Sequence, residues 1–333
     1  MATPKHPIKL IIQIPCFNEE KTLPQTLADL PKSIEGIDKI EVLIIDDGSA
    51  DRTVEVARDL GVDHIIKNAT NRGLARSFRK GLDTCLGLGA DIIVNTDGDN
   101  QYAGGDIGKL VRPVIDGSAE IVIGDRQTHK IKHFSKFKRL LQKLGSMVVR
   151  QLSDTDVPDV VSGFRAISRD AALKLNIISS YSYTIEMVIQ AGKKNMAIAH
   201  VPVGINPKTR DSRLFKSIPG FVGRQLSSMI RMYAMYEPLR VFFYIGLAIS
   251  TIGMLPVIRF LYFYFTGGGD GHLQSLVLGG VLLIIGFMVL MIGLLADLIS
   301  FNRQLTEITL EKIRKIELQQ AADAIDRDIK SQV

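Results

Sequence analysis

Residues 39–60 read "KIEVLIIDDGSADRTVEVARDL", and the order of chemistries in that stretch decides the fold. The apolar run Val42–Ile45 ends in Asp46, Asp47 and Gly48, and apolar residues at helical spacing follow Ser49. An apolar strand, a polar turn and a helix in sequence make the first part of a βαβ unit. Three more segments repeat the design: "KLIIQIPCFNEEKTLPQTLADL" (9–30), "DHIIKNATNRGLARSFRKGLDTCL" (63–86) and "ADIIVNTDGDNQYAGGDIGKLVRPVID" (90–116). A further strand is expected in "AEIVIGDRQ" (119–127). Asn18 is placed to cap the first helix, with Glu19 and Glu20 in its first turn, and Ser49 to cap the second.

Apolar strands alternating with helices predict an α/β fold, a mainly parallel sheet covered by helices on both faces. Ligands bind such sheets at the carboxyl ends of the strands. "IPCFNEE", "DDGSAD", "NTDGDNQ" and "GDRQ" all lie at strand exits, so four polar clusters converge on one edge. No G-x-G-x-x-G follows the first strand and no Walker lysine motif is present, which disfavours dinucleotide-binding dehydrogenases and P-loop enzymes. Diphosphate charge at this edge must then be met by a metal or by Arg and Lys. Asp97 and Asp99, two residues apart at a strand exit, can reach one hard divalent cation, Mg²⁺ or Mn²⁺. A solvated acidic turn is the alternative for an isolated D-x-D, and the neighbouring clusters weigh against it.

The rest of the chain is basic and then apolar. "FSKFKRLLQKLGSMVVRQL" (134–152) has the spacing of a basic amphipathic helix, packed on the sheet or lying against anionic headgroups. "DVVSGFRAISRDAALKL" (159–175) reads as a strand pair and a helix, and "MAIAHVPVGINPKTRDSRLFKS" (196–217) holds the last strand. "SIPGFVGRQLSSMIRMYAMYEPL" (217–239) reads as an interfacial helix broken at Pro238. Val241–Phe265 and Leu276–Ser300 are each near the length that crosses a bilayer as a helix. Arg224, Arg231 and Arg240 precede the first stretch; Arg303, Lys312, Arg314 and Lys315 follow the second, and the intervening "TGGGDGHLQ" has neither Lys nor Arg. The positive-inside bias puts both flanks in the cytoplasm. Arg259 and Asp297 lie near the ends of these spans, where snorkelling explains them better than an ion path. The tail after Asn302 is charged and helix-prone, and is expected to be peripheral. No signal peptide opens the chain. Two cysteines, Cys16 and Cys85, form no disulfide framework and fit a reducing compartment. The net charge of +6 suits acidic partners. Its basic residues flank the membrane-facing segments, without a nucleic-acid module, so no nucleic-acid partner is expected.

"IPCFNEEKTL", "VLIIDDGSADRT", "NRGLARSFRKG", "NTDGDNQY" and "VVSGFRAISR", in that order, resemble family-two glycosyltransferases of the GT-A fold, over residues 8 to 215. With two membrane spans following, the chain is most similar to polyisoprenyl-phosphate glycosyltransferases, a group that includes bactoprenol glucosyltransferases and dolichyl-phosphate mannose synthases. The resemblance implies inverting transfer of a hexose, glucose from UDP-glucose, to undecaprenyl phosphate at the inner (plasma) membrane, in the service of cell-envelope glycosylation. GDP-mannose-dependent synthesis remains the alternative donor reading. Carried over by motif, Pro15, Asn18, Glu19, Asp46 and Asp47 would hold the nucleoside, Asp97 and Asp99 the metal, and Gln101 the sugar or its phosphate. Arg126 and Arg139 match positions that face phosphate, and Asp159 an acidic residue near the transfer site, as orienting group or base. Arg210 and Arg213 match a basic loop for the lipid phosphate, although the glycine usual in that loop is missing. A homo-oligomer, tetrameric, is the expected assembly. The implied organisation is a cytoplasmic catalytic domain (1–214), an interfacial helix (215–239), a two-helix transmembrane hairpin (240–301) and a charged cytoplasmic tail (302–333). A processive polysaccharide synthase is excluded, because its Q-x-x-R-W motif needs a tryptophan and the chain has none. A catalytically silent membrane scaffold is disfavoured by the intact aspartate pair.

Overall fold

A computed structural model describes residues 7–127, 150, 153, 155–178, 183–207, 235–267 and 272–331. The basic segment 134–148, the loop 208–216, the segment 217–234 expected at the interface, and Arg139, Arg210 and Arg213 lie outside the described residues. The chain divides into two compact units, 1–226 with 310–333, and 227–309.

In the first unit the elements follow the expected alternation: β1 (Lys9–Cys16), α1 (Leu23–Ala28), β2 (Lys39–Asp46), α2 (Thr53–Asp59), β3 (His64–Lys67), α3 (Leu74–Gly87), β4 (Ile92–Asn95), α4 (Ile107–Ile115), β5 (Ile121–Asp125), β6 (Arg165–Ser168), α5 (Arg169–Lys174), α6 (Tyr183–Lys193) and β7 (Ile198–Pro202). These strands form one sheet in the order β3-β2-β1-β4-β6-β5-β7. β1 pairs parallel with β2 and β4, β2 with β3, and β5 with β7. The central strands are buried on both faces, which is why Leu10 to Ile14 and Leu43 to Ile45 read as near-continuous apolar runs. Leu10, Ile12, Ile14, Val94 and Val122 share one core with Leu110 and Val111 of α4.

One strand breaks the parallel pattern. β6 is antiparallel to both β4 and β5, with Asn95 opposite Arg165. The segment expected to hold a strand pair therefore holds a single strand. Its reversal brings the start of β6 to the edge where β1, β2, β4 and β5 end. The loop 155–164 thus arrives among the four polar clusters.

Both expected helix caps are corrected. α1 starts at Leu23, with Thr22 before it, and no acidic residue lies in its first turn. α2 starts at Thr53, with Arg52 before it. Asn18 and Ser49 instead bond each other's turns: Asn18 N donates to Ser49 Oγ (2.8 Å), and Ala50 N donates to Asn18 Oδ1 (2.8 Å). Short polar side chains favour such local backbone bonds, and Asn18 adopts a left-handed φ of 56°.

The second unit contains α7 (Pro238–Phe265) and the first part of α8 (Leu273–Ser331). Both helices are long and apolar enough to cross a membrane. Leu255, Tyr262, Ile284 and Leu295 face outward. Glycines let the two backbones meet: a Cβ on Gly246 would stand 2.9 Å from the Gly286 carbonyl oxygen, and one on Gly279 2.8 Å from that of Gly253. Small residues at a helix contact give this close approach. Pro238 begins α7 rather than interrupting it, as its fixed φ allows. α8 does not end near Ser300 but continues as helix through the tail. The tail is not merely peripheral: within the first unit Arg314, 13% exposed, donates to the carbonyls of Leu173 (3.4 Å) and Leu175 (3.0 Å) and stands 3.7 Å from Asp83. It satisfies carbonyls left open at the end of α5.

Candidate active site

The acidic turn after β4 is held by its middle residue. The Gly98 carbonyl accepts from Thr22 Oγ1 (2.8 Å) and Thr26 Oγ1 (3.1 Å). A Cβ at Gly98 would lie 3.0 Å from Cys16 Sγ and 3.4 Å from Glu19 Cγ, so the turn packs directly on the exit of β1. Thr22 Oγ1 lies equally close to the Glu19 carboxylate (2.8 Å), so its one proton is shared between that carboxylate and the Gly98 carbonyl, and Glu19 N donates to Thr53 Oγ1 (2.8 Å). Asp97 and Asp99 flank this anchored glycine. Asp99 accepts from Gln101 N (3.2 Å), while the Gln101 carbonyl accepts from Asn206 N (2.9 Å). Pro15 lies next to last in β1, and its neighbour Cys16 is buried. Burial, then Glu19, Asp46, Asp97 and Asp51, push the Cys16 thiol well up, so it stays neutral. The same side chains define a negative half of the edge.

Asp46 and Asp47 take different parts. The buried Asp46 carboxylate accepts from Ser49 N (3.3 and 3.2 Å). Asp47 accepts from Asn68 Nδ2 (3.0 Å), Arg72 N (2.9 Å) and Gly73 N (2.8 Å). Asp47 therefore holds the turn before α3 in place, a structural duty beyond that expected from the motif.

The positive half lies after β5. Arg126 donates through Nε (2.7 Å) and Nη2 (2.9 Å) to the two oxygens of Asp159, in a paired fork. Asp159 is 2% exposed and the Arg126 side chain 24%. Burial opposes the charged guanidinium, but Tyr102, Asp159 and Asp97 outweigh it and hold its pKa up. The Arg126 guanidinium also stands 6.0 Å from the Tyr102 ring centroid. Both members of this pair are legible in the sequence, but their pairing is not.

The two halves are joined through Gly163. Its N–H donates to Tyr102 Oη (2.9 Å), and its carbonyl accepts from Asn95 Nδ2 (2.8 Å). A Cβ there would stand 3.2 Å from Asp97 Oδ1. Asn95 in turn accepts from Gln13 Nε2 (3.0 Å). Gln13, Asn95, Tyr102 and Arg165 are part of this edge without having stood out in the sequence. Only the polar residues inside apolar strands, Gln13 and Asn95, carried a legible signal: a buried amide needs a partner.

Among the described residues no group of three or more His, Cys, Asp or Glu side chains can hold a metal by itself. Asp97 and Asp99 supply two hard carboxylates. That set fits Mg²⁺ or Mn²⁺, which bind through one or two carboxylates together with substrate phosphates. The crowding of Glu19, Asp46 and Asp97 makes this part of the edge favourable to a cation.

Comparison with known proteins gives the family and the fold. A family model described as glycosyl transferase family 2 matches residues 11–175. A UDP-N-acetylglucosamine–dolichyl-phosphate N-acetylglucosaminyltransferase from Methanococcus voltae is 31% identical over 218 residues, 57% of this chain and 82% of that one. An undecaprenyl-phosphate mannosyltransferase from Micrococcus luteus is 26% identical over 246 residues, 70% of this chain and 98% of that one. Glucosyl-3-phosphoglycerate synthase from Mycobacterium tuberculosis, solved with uridine diphosphate, has the same fold at a TM-score of 0.55 and 18% identity, over 68% of this chain and 80% of that one.

Proposed function

This chain belongs to glycosyl transferase family 2 and is a glycosyltransferase, and from that premise we propose that it moves a hexose from a nucleotide diphosphate to a polyisoprenyl phosphate at a membrane. The observation that carries the reading is the division of one sheet edge into the Asp97–Asp99 turn and the Arg126–Asp159 pair, joined by Gly163 and Tyr102. A donor diphosphate suits the first half, and an anionic acceptor the second. The relatives named for dolichyl and undecaprenyl phosphates support the acceptor class, and two apolar helices support a membrane setting.

A phosphate monoester has its second pKa near 6 and is mostly ionised at neutral pH, so its attack needs no strong base. In the transfer one phosphate oxygen bonds to the anomeric carbon as the bond to the donor diphosphate breaks on the opposite face, with inversion. Asp159, with both oxygens on Arg126, orients that guanidinium rather than taking a proton. Arg126 keeps Nη1, which Asp159 does not engage, for the acceptor phosphate. Asp46, with Pro15, Asn18 and Glu19 at the neighbouring exit, faces the nucleoside, and Asp47 fixes the turn beside it. Gln101 meets the sugar side of the donor. A divalent cation on Asp97 and Asp99 would screen the charge of the departing diphosphate. Arg139, Arg210 and Arg213 complete the acceptor side in this proposal. Both chain flanks lie in the cytoplasm, with α7 and α8 crossing the inner membrane, and the assembly is a homo-oligomer.

We keep UDP-glucose as the donor. GDP-mannose is about as well supported, since the Micrococcus luteus relative is named a mannosyltransferase. Direct binding of UDP-glucose, GDP-mannose and UDP-N-acetylglucosamine to the purified chain, with Mg²⁺ or Mn²⁺, decides between them. UDP-glucose should bind tightest, and stronger binding of GDP-mannose would replace it.

A further inference from the structure

Arg165 opens β6 and is completely buried. A guanidinium in such a place ordinarily faces a carboxylate, because burying an unpaired charge is expensive. Among the described residues its nitrogens donate to neutral acceptors: Nη2 to the Val160 carbonyl (2.7 Å), Nε to that of Ser162 (2.8 Å), and Nη1 to that of Thr184 (2.9 Å) and to Met187 Sδ (3.3 Å). Two of those carbonyls belong to the turn that Asp159 opens, closed by Ser162 N on the Asp159 carbonyl (3.2 Å). The third lies in the first turn of α6, whose Tyr183 stacks on Phe78 (4.0 Å) and reaches Asn95. A planar fork with fixed donor directions can hold three separate carbonyls at once, whereas a lysine ammonium cannot reproduce that geometry.

We propose that Arg165 is a positioning residue for the transfer reaction: by pinning the 159–163 turn to α6 it sets the spacing between the Arg126–Asp159 pair and the Asp97–Asp99 turn. The inference rests on the glycosyl-transfer reading above. It predicts a specific failure. Loosening the turn leaves the nucleotide half intact, because Asp46, Asp47 and Glu19 are held by other elements. What changes is the alignment of the two reacting anions, and a misplacement of about 1 Å costs about a hundredfold in rate.

The test uses the full chain in detergent or nanodiscs as wild type, Arg165→Met, Arg165→Lys and Gly163→Ala. Nucleotide-sugar affinity is measured by calorimetry, kcat and acceptor KM with undecaprenyl phosphate, and backbone exchange over residues 159–163 by mass spectrometry. In Arg165→Met, kcat should fall about a hundredfold with nucleotide-sugar affinity nearly unchanged, and the turn should exchange faster. Gly163→Ala presses on Tyr183 Oη and on Asp97 without touching Arg165, so it should lower kcat and nucleotide-sugar affinity together, a pattern distinct from that of Arg165→Met. Arg165→Lys should recover part of kcat near neutral pH. Wild-type kcat per folded molecule in Arg165→Met, or equal loss of nucleotide-sugar affinity, overturns the proposal. So does unchanged exchange in the turn. If wild type transfers nothing to the lipid phosphate, the functional reading fails, and the exchange measurement still decides the positioning claim. Should Arg165→Met not fold, Arg165→Lys decides it alone, by the same comparison of kcat, nucleotide-sugar affinity and exchange in the turn.

Discussion

Replacing Arg126 by Met strands the Asp159 carboxylate in a nearly dry site. Breaking a buried ion pair from one side costs about 3–5 kcal/mol. Because the Arg126 side chain is 24% exposed, water can follow it in, and the expected cost is about 2–4 kcal/mol. Asp159→Leu strands the guanidinium nearer to solvent and costs about 1–3 kcal/mol, the value of a charged hydrogen bond left unmade. The double variant Arg126→Met/Asp159→Leu leaves neither charge, and should cost less than Arg126→Met alone. The coupling across the cycle is then at least the cost of Asp159→Leu, about 1–3 kcal/mol. At about 2–4 °C per kcal/mol for a unit of this size, Arg126→Met should lower Tm by about 5–15 °C, with partial recovery in the double variant. Thermal unfolding of the full chain followed by near-ultraviolet circular dichroism reads this without any assay of activity, which all three variants should lose. Additive single effects, within about 0.5 kcal/mol, would refute the claim that Asp159 exists to hold Arg126.

Far from this edge, Glu41 (7% exposed side chain) meets Lys9 (2.7 Å), Lys39 (2.7 Å) and His64 (2.8 Å). Burial raises its pKa, but hydrogen bonds from Lys39, Lys9 and His64 outweigh that and bring it down to about 2. Its stabilisation is therefore complete above about pH 5 and lost as pH falls through about 2; Glu41→Gln should remove about 1–2 kcal/mol at neutral pH, seen as a flatter acid limb in urea unfolding. Gly48 has φ 76°, and a Cβ there would stand 2.7 Å from the Thr70 carbonyl carbon; Gly48→Ala should cost about 2–3 kcal/mol and weaken nucleotide-sugar binding, by calorimetry. Gly286→Val meets Ser250 and the Gly246 carbonyl, and should lower detergent-phase Tm while leaving nucleotide-sugar affinity intact. Asp99→Ala should abolish transfer without loss of fold, and chelation should do the same reversibly; full turnover in metal-free buffer would remove the cation from the account.

The fold was legible where the signal is local. Apolar strands ending in acidic turns mark β1, β2 and β4 because strands buried on both faces leave polar groups only at their exits. β6 was not legible as a reversed strand, since nothing within "FRAIS" encodes direction. That reversal alone brings Asp159 to Arg126, so two residues found separately were not seen as a pair. Arg165 was passed over for a related reason: arginine is rarely buried, and carbonyl partners leave no mark in the sequence. Asn18 and Ser49 misled as caps because a side chain that can cap a helix can equally bond a neighbouring turn. The length of α8 was hidden by the change from apolar to charged residues after Phe301, a change of surroundings rather than of conformation.

In the proposed reaction the two halves of this sheet edge bring a sugar nucleotide and a lipid phosphate together. Purified full-length chain, reconstituted with undecaprenyl phosphate and Mg²⁺ or Mn²⁺, is incubated with radiolabelled UDP-glucose and, separately, GDP-mannose, and label is followed into the organic phase. A labelled polyisoprenyl phosphate sugar should form with one of the donors, and should be lost in Asp99→Ala and in Arg126→Met. Label that stays out of the lipid with every donor, while a water-soluble acceptor is glycosylated, would contradict it.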